Sequence, residues 1–165
     1  MAVFTQIKDI EPVRLILSQI SVFGAVSEEK QARLFQRLET ACFKTGEFIF
    51  CKGEEPTHIY MVKSGRVDLL VTDNGVVIEK AKLGVGESFG EASLMSMHKH
   101  TATAIAIEES EIIVLSRHAL IQLEHEDIEL FALLMMNIAR ELARRLKLTD
   151  DILLHYMHTH CKGEA

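Results

Sequence analysis

The segment from Gly84 to Thr103 carries residue types with which a protein can hold a sugar phosphate. Glycines punctuate its first half, and glycine lets backbone amides approach an anion closely. Glu91 can accept hydrogen bonds from a diol, and His100 belongs to a cluster of basic and hydroxyl side chains that can face a negative charge. The segment therefore predicts a site for a ligand that combines hydroxyl groups with a phosphate.

Short β-strands separated by turns surround this segment. The pair Asn74-Gly75 is typical of a tight hairpin, and glycine occurs in most of the other gaps. Many short strands at regular spacing favour a sandwich or a jelly-roll barrel. The predicted strands are Glu47 to Lys52, His58 to Lys63, Arg66 to Thr72, Val76 to Leu83, Ala102 to Ile107 and Glu111 to Leu115.

Helical patterns flank the strands on both sides. Two short helices are predicted between Val13 and Thr40, with Leu38 on their apolar face and Ser27 as the N-cap of the second. A long amphipathic helix is predicted from about Asp127, some 45 Å long, which exceeds what a small β-domain covers. Its apolar residues follow three- and four-residue steps, as pairing with another helix requires. This stripe consists of Phe131, Met135, Ile138, Leu142, Leu146, Thr149, Leu153 and Tyr156.

These patterns predict an α+β fold that is mainly β, a double-stranded β-helix (jelly roll) flanked by short N-terminal helices and a long C-terminal helix. The boundary falls between residues 1–126, which hold the entry helices and the β-roll, and residues 127–165, which hold a dimerisation helix and tail. Both parts belong to a single domain overall, as a chain of 165 residues with 48% hydrophobic content allows.

Composition excludes several classes of protein. The net charge of −6 argues against a surface that wraps nucleic acid, and the apolar runs are too short to cross a bilayer. Three cysteines, Cys42, Cys51 and Cys161, lack paired spacing and indicate a reducing compartment. We therefore expect a soluble, cytoplasmic protein. The sequence shows no catalytic constellation of the Ser-His-Asp or paired-carboxylate kind, so we expect no enzyme activity and assign no catalytic residue.

The segment Gly84 to Thr103 closely resembles the phosphate-binding cassette of cyclic nucleotide-binding domains, and we call it the cassette. The resemblance extends over nearly the whole chain, through Gly46-Glu47, Gly53-Glu54, the run from Ile59 to Val67, and the run from Ala139 to Leu146. It implies an eight-stranded jelly roll with a pocket inside and a short helix in the cassette. The implied ligand is cyclic AMP or cyclic GMP, with no metal.

The resemblance also implies a role for individual cassette residues. Gly90 lets the ligand approach the backbone, Glu91 accepts the ribose 2′-hydroxyl, and Ser93 faces the phosphate. Thr101 resembles the threonine of members that favour cyclic GMP. The full predicted site is Phe89, Gly90, Glu91, Ala92, Ser93, Leu94, Lys99, His100, Thr101 and Ala102.

His100 departs from the family's pattern. Nine residues after the cassette glutamate the family has an arginine that pairs with the cyclic phosphate, and here that position is His100. Histidine offers a single donor and is only partly charged at neutral pH, whereas arginine is always charged and binds through two donors. Loss of the arginine contact should weaken binding about ten- to a hundredfold. The alternative is a pocket that no longer binds a cyclic nucleotide.

Three hypotheses follow for the role of the chain. The first is a sensor that binds a cyclic nucleotide and signals to a partner protein through its C-terminal helix, as a homodimer. The second is an interaction module of the same fold without a ligand. The third is a fragment of a transcription regulator; only 39 residues follow Glu126, fewer than a helix-turn-helix domain needs, so we expect a stand-alone module without direct DNA binding.

A histidine cluster near the end of the chain offers a different chemistry. It consists of His155, His158, His160 and Cys161, and the first two residues can share a helical face as ligands for a transition metal. The cluster matches no zinc-site spacing, and a polar terminal tail is ordinarily solvated. We therefore assign no metal ligand.

Overall fold

The fold is a β-sandwich of two antiparallel sheets, seen in a computed structural model that describes residues 3–7, 9 and 11–160. One sheet has the strand order β1-β2-β9-β4-β7 and the other β3-β8-β5-β6. The strands are β1 (Thr5–Gln6), β2 (Leu38–Phe43), β3 (Phe48–Phe50), β4 (His58–Ser64), β5 (Val67–Asp73), β6 (Val76–Leu83), β7 (Ser88–Phe89), β8 (Thr103–Ala106) and β9 (Ser110–Ser116). The described residues thus contain the eight strands that the resemblance implies and, in addition, the two-residue strand β1.

The predicted strands are confirmed, and three strands were missed. The predicted hairpin joins β5 to β6, where Asn74 and Gly75 have φ of 46° and 81°, as a tight antiparallel turn requires. The prediction of Leu38 as a helical residue was wrong, because Leu38 lies in β2 opposite Leu115 of β9. Leu38 follows Leu34 by four residues, a spacing that places both side chains on one face of a helix or of a strand, so periodicity alone does not distinguish a helix from a strand here. The other missed strands, β1 and β7, are two residues long and carry no measurable alternation.

Helices cover one face of the sheet that contains β4 and β9. Two short helices, α1 (Glu11–Gln19) and α2 (Glu28–Phe35), are joined through a 3₁₀ turn at Ser21–Phe23. The predicted N-cap is confirmed, since the hydroxyl of Ser27 accepts a hydrogen bond from the Lys30 N–H. Two apolar cores result, one between the sheets and one between the sheet and the helices. The helical core includes Leu17, Leu34, Ile59, Ile113, Leu123 and Leu134.

The C-terminal part of the chain forms α4 (Arg117–Glu126) and α5 (Ile128–His160). Asp127 directly precedes α5 and caps its first turn. Its carboxylate accepts hydrogen bonds from the Leu130 N–H at 3.0 Å and from Arg33 of α2 at 2.8 Å. Lys30 of α2 lies beside the same carboxylate, and these contacts lower the pKa of Asp127 below its ordinary value. The start of α5 is therefore fixed to α2.

The long helix α5 has 33 residues, about 50 Å, and its apolar side chains pack against the domain over the first half. Its fully buried residues there are Leu130, Leu134 and Ile138. The predicted stripe is offset from this face, since Phe131, Met135 and Leu142 are half-buried. The second half exposes large apolar side chains, namely Leu146, Leu148, Ile152, Leu153, Leu154, Tyr156 and Met157.

Asn137 joins α5 to the 3₁₀ turn. Its buried side-chain amide donates to the carbonyls of Val22 at 3.1 Å and Gly24 at 2.8 Å. We expect Asn137→Ala to lower the free energy of unfolding by about 2 kcal/mol, because two carbonyls lose their donor in a buried place. Urea denaturation followed by circular dichroism measures the change. Met136→Ala, at the neighbouring exposed position, is the control, and an equal loss in both variants would contradict the proposed role of the Asn137 amide.

Candidate ligand-binding site

The cassette places its acid at the start of a one-and-a-half-turn helix. Strand β7 ends at Phe89, Gly90 follows with φ of 82°, and α3 (Glu91–Ser96) begins immediately after it. A Cβ atom on Gly90 would lie 2.8 Å from the Tyr60 ring and 3.2 Å from the His58 carbonyl. Only glycine suits both this backbone conformation and this close approach. The position of Glu91 is therefore set by a turn that tolerates no larger residue.

Glu91 is a buried carboxylate held by the terminal helix. Its side chain is 1% exposed, and Arg145 of α5 donates to its Oε1 at 2.5 Å. The same guanidinium donates to the Ser88 carbonyl at 2.5 Å and to Glu141 at 3.2 Å. Arg145 thus connects α5 with strand β7 and with the short helix that begins at Glu91, both of which belong to the cassette. The ion pair links residues that are 54 positions apart in the chain.

The second carboxylate oxygen of Glu91 has no partner among the described residues. Oε2 is buried and accepts no hydrogen bond there. Burial raises the pKa of Glu91 above its ordinary value, and the nearby Arg145 guanidinium partly offsets this effect. A buried oxygen without a donor is costly, and a hydroxyl group of a ligand would relieve that cost. The arrangement fits an acceptor for a diol.

His100 lies at the other end of the predicted site. The residue is 4% exposed, and its ring stacks on Phe50 with 3.7 Å between ring centroids. Its backbone is held by the turn that follows β3, since the His100 N–H donates to the Glu54 carbonyl at 2.9 Å. Burial lowers the pKa of the imidazole below its ordinary value, an effect that the carboxylate of Glu54 partly offsets. His100 is therefore a neutral side chain at pH 7 and supplies no fixed positive charge.

A cleft of about 720 Å³ opens beside His100. It contains three predicted site residues, Lys99, His100 and Thr101, and brings them together with the β5–β6 hairpin. Its full lining is Lys52, Gly53, Val71, Thr72, Asp73, His98, Lys99, His100 and Thr101. Lys99 faces Glu55 across 3.5 Å. A larger cleft of about 1230 Å³, beside Cys42 and Phe48, contains none of the predicted site residues.

The remaining predicted residues divide between packing and exposed positions. Phe89 lies in the core between the sheets, Leu94 lies in the helical core, and Ala102 is buried. Ala92 is exposed and Ser93 is half-buried. Phe50 stacks on His100, and its ring lies 6.0 Å from that of Phe89, which precedes Gly90 and Glu91 in the chain. Glu91 does not line the cleft beside His100.

Comparison with known proteins identifies the family of the chain. A family model described as "Cyclic nucleotide-binding domain" matches residues 41–127, which include the whole cassette. The chain belongs to the cyclic nucleotide-binding domain family. This is a family of regulatory, typically non-catalytic domains.

Individual relatives of this cyclic nucleotide-binding domain differ in overall size. It is 32% identical to the cyclic AMP receptor protein of Thermus thermophilus over 130 residues, which is 78% of this chain and 58% of that protein. It is 31% identical to the cAMP-dependent protein kinase regulatory subunit of Yarrowia lipolytica over 101 residues, 61% of this chain and 26% of that protein. The chain thus spans just over half of the first relative and about a quarter of the second.

A solved structure confirms the fold of the domain. It superimposes on a cyclic nucleotide-binding domain from Methylobacillus flagellatus with a TM-score of 0.82 at 22% sequence identity. The match covers 94% of this chain and 88% of that one. The arrangement of the two sheets, the short N-terminal helices and the long C-terminal helix is therefore that of a known cyclic nucleotide-binding domain.

Sequence reasoning missed Arg145, Phe50 and Tyr60 as neighbours of this domain's cassette. In the sequence, Arg145 belongs to the matching run from Ala139 to Leu146 without a predicted role, and its partner Glu91 is distant in sequence. Tyr60 stacks on Phe89 at 5.2 Å and Phe50 stacks on His100. Aromatic residues inside strands ordinarily lie in a core, so the sequence does not distinguish Tyr60 and Phe50 from other core residues.

The histidine cluster is only partly visible in the structure. His155 and His158 lie on α5 and both are exposed, whereas Cys161 and the side chain of His160 lie outside the described residues. Among the residues that are described, no group of three ligating side chains is placed to hold a metal ion. No helix among the described residues combines the length and the apolar character that crossing a bilayer requires.

Proposed function

We propose that this domain is a sensor that binds cyclic AMP or cyclic GMP and reports binding through α5. One observation carries the proposal: a buried cassette acid with one unpartnered oxygen is held from its other side by an arginine of the terminal helix. The two relatives named above support it, since the name of each refers to cyclic AMP or to dependence on it. We propose no catalysis.

Glu91 accepts the ribose 2′-hydroxyl through its Oε2 oxygen in this proposal. The turn at Gly90, Ala92 and Ser93 contacts the phosphate, while Lys99, His100 and Thr101 line the anion end. Phe89, Leu94 and Ala102 shape the pocket by packing rather than by polar contact, as their burial favours. No metal is needed for any of these contacts.

The signal passes through the pair of Glu91 and Arg145. A ligand shifts a conformational equilibrium only by binding two states with different affinity. A ribose hydroxyl that donates to Glu91 changes the hydrogen bonding and the position of the carboxylate that Arg145 meets, so the ligand alters the strength of the contact between α5 and the cassette. Residues 1–126 then act as the ligand-binding unit and residues 127–165 as the helix that transmits the change to a protein partner.

The exposed half of α5 pairs with a second copy of the chain in this proposal. Its apolar residues continue the stripe of three- and four-residue steps beyond the domain's own core, through Leu146, Thr149 and Leu153. A helix with such a stripe buries it against an identical stripe in a symmetric dimer. We propose a homodimer on this basis, without direct contact to DNA or to a membrane.

Ligand titration tests the binding proposal. We expect isothermal titration calorimetry to show saturable binding of cyclic AMP or cyclic GMP, with Glu91→Gln weakening it about ten- to a hundredfold through loss of the charged acceptor. Glu124→Gln, an exposed acid on α4, is the control and should leave affinity unchanged.

Failure of both nucleotides to saturate wild-type protein between about pH 5.5 and pH 7.5 would overturn the proposal. It would favour an interaction module without a ligand. The stacking of the His100 ring on Phe50, where burial lowers the pKa of the imidazole, is the observation that supports this second function.

A further inference from the structure

His100 borders the cleft, but its ring packs against a neighbouring aromatic side chain. Its ring lies flat on Phe50, with 9° between the ring planes, and no hydrogen bond to its ring nitrogens occurs among the described residues. An imidazole in such a place gains packing against the neighbouring aromatic ring. This arrangement suits the neutral ring and opposes the protonated ring, which needs donors satisfied on both nitrogens.

Charged groups face His100 from each element packed against it. Glu54, in the turn after β3, is the acid that favours protonation of the ring. The cleft adds Lys52 from the same turn, Asp73 from the end of β5, and His98 with Lys99 from the segment after α3. Lys52 donates to the Thr72 carbonyl at 3.2 Å, and Lys99 faces Glu55, so both lysines already have partners. Protonation of His100 would add a further cation to this group, and Glu54 is the acid that favours it.

We propose that ligand binding at this site is conditional on a proton taken up by His100. In the neutral state the ring stays on Phe50 and gives an anion no charged contact. In the protonated state the ring leaves the stack and donates a charge-assisted hydrogen bond to the ligand's phosphate. The inference rests on the proposed function. The contact from His100, which depends on pH, takes the place of the family's permanent arginine contact.

The direction of the pH effect follows from the two states of His100. Burial lowers the pKa of His100 in the free protein below the ordinary value of 6.5. The anionic phosphate raises it in the complex, since an opposite charge favours the protonated form. A cyclic phosphodiester keeps its charge from acid to alkaline pH, so the ligand itself does not titrate in this range. Binding therefore takes up a proton, and affinity rises as pH falls through the interval between the two pKa values.

Calorimetry at two pH values tests the proton requirement. We expect cyclic nucleotide to bind about tenfold more tightly at pH 5.5 than at pH 7.5, as the gain from a charged donor predicts. Titrations in buffers of different ionisation enthalpy should show uptake of about half a proton per ligand on average over this interval, as a tenfold change across it requires. His118→Gln, an exposed histidine of α4 outside the cleft, is the control and should keep both effects.

His100→Arg separates this inference from the proposed function. The variant should bind about ten- to a hundredfold more tightly at pH 7.5 and lose the pH dependence, because arginine is charged throughout. Wild-type binding with equal affinity at both pH values overturns the proton gate and leaves the sensor intact. Binding by His100→Arg alone, at every pH, also overturns the gate. Absence of binding in both proteins overturns the proposed function itself.

An NMR titration of the His100 ring keeps the test valid if His100→Arg fails to fold. In wild-type protein the ring should titrate below 6.5 without ligand, in the direction that its burial sets. Saturating cyclic AMP should move that titration to a higher pH. An unchanged titration in the saturated complex would exclude His100 as the group that takes up the proton.

Discussion

Arg145→Met is expected to lower the free energy of unfolding by about 2 kcal/mol at pH 7. Removing one member of a buried ion pair leaves the other charge unpaired, which costs about 3–5 kcal/mol when both members are fully buried. Glu91 is buried, but the Arg145 side chain is 35% exposed, so water screens part of the effect and we take a smaller value. Urea denaturation measures the change, and methionine keeps most of the aliphatic packing of arginine.

A double-mutant cycle separates the ion pair from general packing. Glu91→Gln removes the charge and keeps the shape, so it should cost less than 1 kcal/mol, since the uncharged amide carries a smaller desolvation penalty. In the Glu91→Gln background, Arg145→Met should then cost much less than it does in wild type. Equal costs of Arg145→Met in the two backgrounds would show that its effect does not arise from Glu91.

The cost of Arg145→Met should also depend on pH. Burial holds the pKa of Glu91 above the ordinary 4.5, and loss of the guanidinium raises it further. A carboxyl whose pKa is raised on folding contributes stability below its unfolded pKa and loses that contribution as pH rises through its folded pKa. The variant should therefore be close to wild type near pH 4 and differ most near pH 7. The comparison requires unfolding curves at both pH values.

Much of the fold follows from local sequence signals. Asn74-Gly75 supplies two residues that accept positive φ, and this requirement alone places the β5–β6 hairpin. Ser27 supplies the N-cap directly before α2, since its hydroxyl accepts a hydrogen bond from the Lys30 N–H. Gly90 marks the turn into α3. Each of these signals acts within a few residues, and a reader of the sequence can evaluate it without knowing the tertiary structure.

The candidate site depends on contacts that no local signal contains. Glu91 was predicted as the ligand's acceptor, but its partner Arg145 lies 54 positions away on a helix whose rotation the apolar stripe does not determine. Leu130, Leu134 and Ile138 are the fully buried apolar residues of α5, and of these Ile138 belongs to the predicted stripe. Phe131 and Met135 of the stripe are half-buried, so the stripe lies at the edge of the packing face. Which charged residue of α5 reaches the cassette therefore depends on the tertiary packing.

Leu153→Glu is expected to weaken self-association at least a hundredfold, the largest effect that we predict for the proposed dimer. Leu153 is 55% exposed in the single chain and lies on the stripe that continues past the domain's own core. In a symmetric dimer the substitution places two carboxylates in the helix interface, where each must lose water without a partner. Sedimentation equilibrium measures the dissociation constant, and light scattering gives the mass at high concentration.

The monomer itself should tolerate this change, since an exposed position alters folding stability by less than about 0.5 kcal/mol. Ala143→Glu introduces the same charge at an exposed position of α5 outside the stripe, so it should leave the dissociation constant unchanged. Equal weakening by Leu153→Glu and Ala143→Glu would indicate charge repulsion rather than loss of an apolar seam. A wild-type chain that remains monomeric at high concentration would remove the dimer, and the exposed half of α5 would then require a partner of another kind.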